Sequence, residues 1–416
     1  MATTATISIL AEPSATVAEK ANDVSGALLM GADYRALGVV RSLGRRRIPV
    51  WVIKQGGHLV ATSSRYVHRR VPWPDVDDAE KIDFLIDLSV KNGLKGWALI
   101  PTDDCAVNLA SAYHELLSKQ YRVTVPPWEK LQWACDKREL HKLAHKLDID
   151  QPWTKCILSK EELAHLDCPF PVVLKPAIRL QPSSLSIPKA WRADNRQELL
   201  ARFEEAASFI PPENLLVQEM IPGGGETQFS YAALSKNGFP LASITARRLR
   251  QYPKDFGQFS TFVETVDEPQ VAAAAGRLLA AAHFTGLAEV EFKKDPRDGR
   301  FKVLDVNPRV WGWHTLSVRA GVDFSYLLWL LTKGEPVPLI HARAGERWIH
   351  GSADLRVAIS EVLSGGFSLS SYLHSVRPPK EFAIFAWDDP LPAILDLPLF
   401  AYSLSKRLSG ASGSGS

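Results

Sequence analysis

The chain has 416 residues, more than one hydrophobic core usually supports, so two or three domains are expected, with room for a cleft between them. Charged residues at 23% and hydrophobic ones at 46% exclude a disordered or membrane-spanning chain and fit an ordinary soluble globular protein. A formal charge of only +3, from 49 basic and 46 acidic residues, gives no general field for gripping nucleic acid, so no nucleic-acid partner is expected, while a local basic patch around a phosphate remains compatible with it.

Residues 1–23 hold a short apolar patch, no arginine and no basic leader, which reads as a loose tail rather than a signal peptide. Cys105, Cys135, Cys156 and Cys168 lack the close pairs of a zinc site and the density of a disulfide scaffold, so reduced thiols and a cytoplasmic location are expected. From Gly26 the segment GALLMGADYRALGVVRSLGRRRIPVWVI reads as strand, glycine turn, helix and strand, with ALLM and VWVI as buried parallel strands. That is the start of a doubly wound α/β domain over 24–128. Gly26, Gly31 and Gly38 do not make the dinucleotide fingerprint, so no nicotinamide site is expected. A further strand, WALIP, ends at Pro101. Asp103 and Asp104 follow at the carboxyl edge of the sheet, where they either line a ligand crevice or cap the helix AVNLASAYHELL. The segment LQWACDKRELHKLAHKLDID predicts one helix bridging to the next domain.

Between Phe170 and Asn307 the segments FPVVLK, ENLLVQEMI, TQFSYAALS, PLASITARRL, AEVEFKKD and FKVLDVN read as strands, giving an α+β domain. The alanine-rich VAAAAGRLLAAAHF is a packing helix. Residues 334–408 form a small C-terminal extension ending in LPAILDLPLFAYSLSKRL, which covers the body's own core; contact with a membrane surface through its apolar side, Lys406 and Arg407 is the weaker alternative. Residues 409–416 read as a flexible tail left from expression.

Several side chains in the second domain carry chemistry. Lys175 closes the strand PVVLK, which fixes the direction of its ammonium; alone it is no more than a surface lysine. In LLVQEMIPGGGE the backbone from Gln218 through Glu219 and Met220 to Ile221 is a strand end able to pair with a base edge, and Glu226 is an acceptor for ribose hydroxyls, while the glycines also serve as a plain turn. In EVEFKKDPRDGRFKVLDVNPR two strands flank a turn. Alternation places Asp305 and Asn307 on one face, and pairing brings Glu291 beside them. Two carboxylates and an amide oxygen make a hard-cation site suited to magnesium bridging phosphates, and Arg309 continues that face toward a phosphoryl or carboxylate group.

The order DK, VVLKP, VQEMIPGGGE, VEFKKD and VLDVNPR resembles the ATP-grasp superfamily, and within it a bacterial carboxylate–amine ligase group related to carbamoyl-phosphate-synthase-type proteins. The resemblance runs from Gly26 to about Lys333. It implies a pre-ATP-grasp domain over 24–128 and a two-lobed ATP-grasp domain over 129–333 with its hinge near 219–226. It implies ATP and Mg2+, or Mn2+ in its place, as cofactors, with Lys175 and Lys189 on the phosphates, Lys137 as a further nucleotide contact, residues 218–221 at the adenine and Glu226 at the ribose. Glu291, Asp305 and Asn307 match the metal ligands; Arg309, joined by Arg248, matches the arginine that binds substrate or stabilises an acyl phosphate. The loop AIRLQPSSLSIPKAW lacks the glycine run usual over the phosphates, and Asp305 stands where glutamate is commoner, a shorter arm toward the metal.

The reaction so implied is attack of a small-molecule carboxylate on the γ-phosphate, then of an amine on the acyl phosphate. A phosphotransferase and a non-catalytic nucleotide sensor are the competing expectations. His314, with Trp311 and Trp313, either walls the acceptor pocket or packs the core. A homodimer is an expectation at family level only.

Overall fold

In the computed structural model, which describes residues 25–54, 59–157, 159–178, 188, 190–252, 257, 259–363, 367–377 and 380–396, the first domain is built on a parallel sheet. Its strands β1 (Ala27–Met30), β2 (Val50–Lys54), β3 (Arg69–Pro72), β4 (Ala98–Pro101) and β5 (Arg122–Val123) lie in the order β3-β2-β1-β4-β5. The runs ALLM and ALIP are buried at every residue because helices α1 (Tyr34–Gly44), α2 (Asp78–Asn92), α3 (Asp104–Ala112) and α4 (His114–Ser118) cover a sheet with no solvent face. The chain reverses direction across the sheet between β1 and β4, and the turns after these strands, at Gly31 and at Thr102–Asp104, edge the crevice that such a reversal leaves. Strand β3 carries no alternation to read, since only Val71 of RRVP is buried.

The predicted single bridging helix is two helices, α5 (Trp128–Cys135) and α6 (Lys137–Lys146). The break is Asp136, whose backbone is extended (φ −104°, ψ 114°) and whose carboxylate accepts the Arg138 amide at 2.9 Å. An aspartate cap satisfies an amide that a continuous helix would have bonded internally. The break makes Lys137 the first residue of α6 and buries it.

The next four strands form a small lobe. β6 (Thr154–Cys156), β7 (Val172–Pro176), β8 (Trp191–Ala193) and β9 (Leu215–Glu219) make an antiparallel sheet in the order β6-β9-β7-β8, backed by α7 (Lys160–His165) and α8 (Arg196–Ala207). The large lobe holds β10 (Gln228–Lys236), β11 (Phe239–Tyr252), β12 (Phe259–Thr265), helix α9 (Pro269–Ala281), β13 (Gly286–Lys294) and β14 (Phe301–Asn307). α9 packs on β10 and β11 with Val271, Ala275, Leu278 and Leu279 buried, as its alanine-rich stripe predicts.

After α10 (Leu316–Arg319) and α11 (Phe324–Thr332), the stretch expected to be a small extension adds three strands to this same sheet. β15 (Ile340–His341) pairs with β11, β16 (Arg347–Ile349) with β12, and β17 (Glu381–Phe382) with β16, with α12 (Gly351–Leu363) and α13 (Leu369–Ser375) between the last two. Strands of two or three residues are too short to show a period. Residues 397–408 lie outside the described residues, and among the described residues no helix is long and apolar enough to cross a membrane.

Both faces of the first sheet share apolar clusters with the large lobe. One runs from Leu28, Met30 and Leu99 to Phe229, Val290 and Val303; the other from Leu29, Val40 and Val52 through Trp311 and Trp313 to Trp348. The small lobe is packed on a cluster of its own, around Leu174, Phe203, Leu215 and Val217.

Candidate active site

The hairpin of β13 and β14 sets Glu291 opposite Asp305 and Glu289 opposite Asn307. Asn307 donates through Nδ2 to Glu291 Oε1 at 2.8 Å and to Glu289 Oε2 at 3.0 Å, and its Oδ1 accepts from Arg309 Nη2 at 3.0 Å. Asp305 lies 3.2 Å from the ammonium of Lys137. Glu291 Oε2 accepts from Arg248 Nη2 at 3.4 Å, and Arg248 is held there by Gln228 and Gln251 at 2.6 and 3.0 Å. The structure thus brings Lys137, Arg248, Glu291, Asp305, Asn307 and Arg309 to one locus.

Glu289 is the member of this group that the motif reading missed. It stands two residues before Glu291, so the same pleat that directs Glu291 directs it too. Only 4% exposed, it accepts from Trp313 Nε1 at 2.9 Å, and burial, followed by the charge of Glu291, pushes its carboxyl up to about 7. The sequence signal that finds it is the period-two pair of glutamates facing an asparagine.

The small lobe supplies the other side. Lys175, at the end of β7, donates to Gln218 Oε1 at 2.8 Å, and Gln218 donates in turn to Thr154 Oγ1 at 2.8 Å. His141, one helical turn beyond Lys137 on α6, faces Gln218 Nε2 at 3.2 Å and contacts Gln151 through Nδ1. Burial, and then the charge of Lys175, push its imidazole down to about 4, with Lys137 acting in the same direction. A neutral histidine therefore sits against Gln218, which Lys175 also contacts, one turn along α6 from Lys137. It too was absent from the motif reading, and the i,i+4 spacing from Lys137 is its signal. Asp104, Asn108, Cys135, Lys137, Asp305 and Asn307 line a cleft of about 340 Å³, open mouth included.

The remaining positions are placed as follows. The amides of Glu219 and Met220 donate to the carbonyls of Trp153 and Pro171, both at 2.9 Å, and the Glu219 carboxylate is bound by Arg297 at 3.0 Å and Lys302 at 3.4 Å. Ile221 is buried just beyond them. Glu226 is exposed, in a 3-10 turn (Gly225–Thr227), and accepts the Gly224 amide at 2.9 Å. Lys189 lies outside the described residues.

Of the two acidic residues at the first sheet's edge, each takes one of the two roles weighed for both. Asp103 caps α3 through the Ala106 amide at 2.9 Å, while Asp104 reaches across to Arg309 Nε at 2.6 Å and lines the cleft. His314 packs: it is buried between α1 and the large lobe, its Nδ1 is 2.9 Å from the Trp311 carbonyl, and burial pushes it down to about 4. Trp311 is core against Phe324, whereas Trp313 reaches the site through Glu289. All four cysteines are free thiols, and burial pushes Cys105 and Cys135 up to about 12, which disfavours a nucleophilic thiolate at either.

No protein-family model matches the chain. The D-aspartate ligase of Enterococcus faecium (strain Aus0004) is 23% identical over 308 residues, 68% of this chain and 70% of that one. Among solved structures, the L-amino acid ligase from Bacillus licheniformis superposes with a TM-score of 0.57 at 18% identity over 74% of each chain. A biotin carboxylase from Campylobacter jejuni, in a β,γ-ATP complex, superposes with a TM-score of 0.59 at 14% identity, over 76% of this chain and 73% of that one. In its sequence relatives and in its fold the chain is similar to the ATP-grasp superfamily.

The donor set at β13 and β14 fits magnesium. Mg2+ is held by one or two carboxylates and leaves its other positions to water and phosphate oxygens. Glu291 and Asp305 would supply the carboxylates and Asn307 an amide oxygen, and the Lys137 and Arg248 cations stand against those carboxylates. Among the described residues no group of three or more His, Cys, Asp and Glu is placed to hold a metal by itself, so phosphate oxygens would complete the shell.

Proposed function

We propose that this chain is an ATP-dependent ligase that joins a small-molecule carboxylate to an amine through an acyl phosphate, releasing ADP and phosphate. The observation that carries the reading is the Glu291, Asp305, Asn307 and Arg309 group of β13, β14 and the residues after them, met by Lys137, which lines one cleft with Asp305 and Asn307. Its ligase-named relatives, the D-aspartate and L-amino acid ligases, support the reaction class.

In this reading Lys175, Lys137 and Lys189 neutralise the phosphates, and the backbone beyond Met220, whose own amide is already bonded within the protein, offers the edge for adenine. Glu226, exposed and with acceptor capacity beyond its bond to the Gly224 amide, would take the ribose hydroxyls. Glu291, Asp305 and Asn307 would hold Mg2+, or Mn2+, which would supply charge neutralisation for the phosphates. Arg309 and Arg248 orient the carboxylate for in-line attack and hold the acyl phosphate until the amine arrives. The protein's work is positioning and charge neutralisation, and no covalent nucleophile is required.

The test is ADP release with Mg-ATP across pools of carboxylates and amines, with mass spectrometry of products and Glu291→Ala as control. An amide that needs both partners and vanishes in the control supports the ligase. A phosphorylated product without an amide supports a phosphotransferase instead, and nucleotide binding with no substrate-dependent ADP supports a sensor.

A further inference from the structure

Glu289 has no part in the reaction just described, yet it is the most deeply set carboxylate of the site. Its two oxygens take different donors: Oε1 the indole N–H of Trp313 at 2.9 Å, Oε2 the amide of Asn307 at 3.0 Å. The first donor belongs to the loop that follows Arg309, the second to the strand that precedes it.

An asparagine side chain offers oxygen on one side and NH2 on the other, and half a turn about its terminal torsion exchanges them at little steric cost. What decides the orientation is the set of partners. Here the NH2 is shared by two carboxylates, Glu289 and Glu291, and the oxygen faces the Arg309 guanidinium. Turned over, Asn307 would set its oxygen against both carboxylates and its NH2 against a cation. Glu291 divides its acceptors between Asn307 and Arg248 and, in the reading above, the metal, whereas Glu289 is engaged by Asn307 and Trp313.

We propose that Glu289 is a positioning residue of the cation site. It holds the Asn307 oxygen toward Arg309, where its second lone pair is available to a hard cation, and through Trp313 it pins the loop that carries Arg309. The inference rests on the Mg-ATP reading above and concerns a residue that touches neither nucleotide nor metal.

Glu289→Gln is the deciding variant, since it keeps the size of the side chain but replaces one acceptor by a donor. With the full-length chain and a non-hydrolysable ATP analogue, bound Mn2+ is measured from the paramagnetic resonance of the free ion. The expected result is Mn2+ affinity about tenfold weaker than wild type, the scale of one charge-assisted hydrogen bond, with metal-free nucleotide binding within about twofold of wild type. Glu289→Asp keeps the charge on a shorter arm and is expected to recover part of the loss. Wild-type Mn2+ affinity in folded Glu289→Gln overturns the inference and leaves the ATP site standing. Failure of the wild type to bind Mn2+ with the nucleotide overturns both. If Glu289→Gln does not fold, Glu289→Asp decides: unchanged Mn2+ affinity in the folded variant overturns the inference.

Discussion

Among the arginine–aspartate pairs that tie the first sheet domain to the rest of the chain, Arg41–Asp389 and Arg309–Asp104 differ in what else their atoms touch. On one side Arg41 of α1 meets Asp389, which is 1% exposed and also accepts from Ser64 Oγ at 2.7 Å and the Arg65 amide at 3.0 Å. Its neighbour Asp388 binds Arg45 twice at 2.8 Å and Tyr66 at 2.7 Å. Protein donors thus serve both Asp389 oxygens, and the pair fastens β17 and the residues after it onto α1. On the other side Arg309 meets Asp104, whose side chain is 25% exposed and lines the cleft. The same two residue types make a closed fastening where the aspartate is buried among protein donors, and a contact at the cleft wall where the aspartate is partly exposed.

Breaking the closed joint has the largest expected effect. Asp389→Ala leaves the Arg41 charge buried without its partner, a loss of about 3–5 kcal/mol, read as a lower urea midpoint, with turnover per folded molecule unchanged. A midpoint equal to wild type would mean that the joint carries no strain of folding. At the open side Glu291→Gln is expected to lower ADP formation about 100- to 1000-fold while the urea midpoint barely moves; full activity would remove Glu291 from the metal set.

Gly38→Ala probes the packing that underlies both joints. Its Cβ would stand 2.4 Å from His314 Nε2 and 2.6 Å from Thr315 Cγ2. The clash, about 1–3 kcal/mol, outweighs the roughly 1 kcal/mol that alanine gains over glycine within a helix, so a net fall in thermal midpoint is expected and a rise would contradict the geometry. Asp104→Asn keeps the contact and removes the charge: turnover about tenfold lower, at nearly constant stability, is expected, and a stability loss without a turnover effect would make this joint a fastening like the first.

The smallest effect is in pH. Burial holds the folded pKa of His314 at about 4, below its ordinary 6.5, so the unfolded chain takes up more protons between those values. The contribution of a neutral, buried His314 is intact above pH 6.5 and is lost as the pH falls toward 4. Wild-type stability should therefore decline more steeply than that of His314→Asn over that window, in paired thermal melts; parallel curves would place the proton uptake elsewhere.

Much of the site was legible because strands have a strict period. Glu291, Asp305 and Asn307 come from alternation and one hairpin, and the observed register pairs Glu291 with Asp305. The same rule, carried two residues back, reaches Glu289. His141 needed the helical period from Lys137, which sets the two on one face of α6. The strands β15, β16 and β17 have at most three residues, and nothing periodic marks them.

By itself the sequence determined the doubly wound start, the run of strands that follows and the carboxylates that share a face, because buried runs and alternation are local and repeat within a few residues. Tertiary structure alone decided that Asp104 rather than Asp103 reaches Arg309, that His314 packs while Trp313 serves the site, and that the chain after 333 closes onto the large sheet and α1. Those outcomes depend on partners as many as 348 residues apart, and the relative placement of such distant segments is set by how whole sheets pack, which no local pattern encodes.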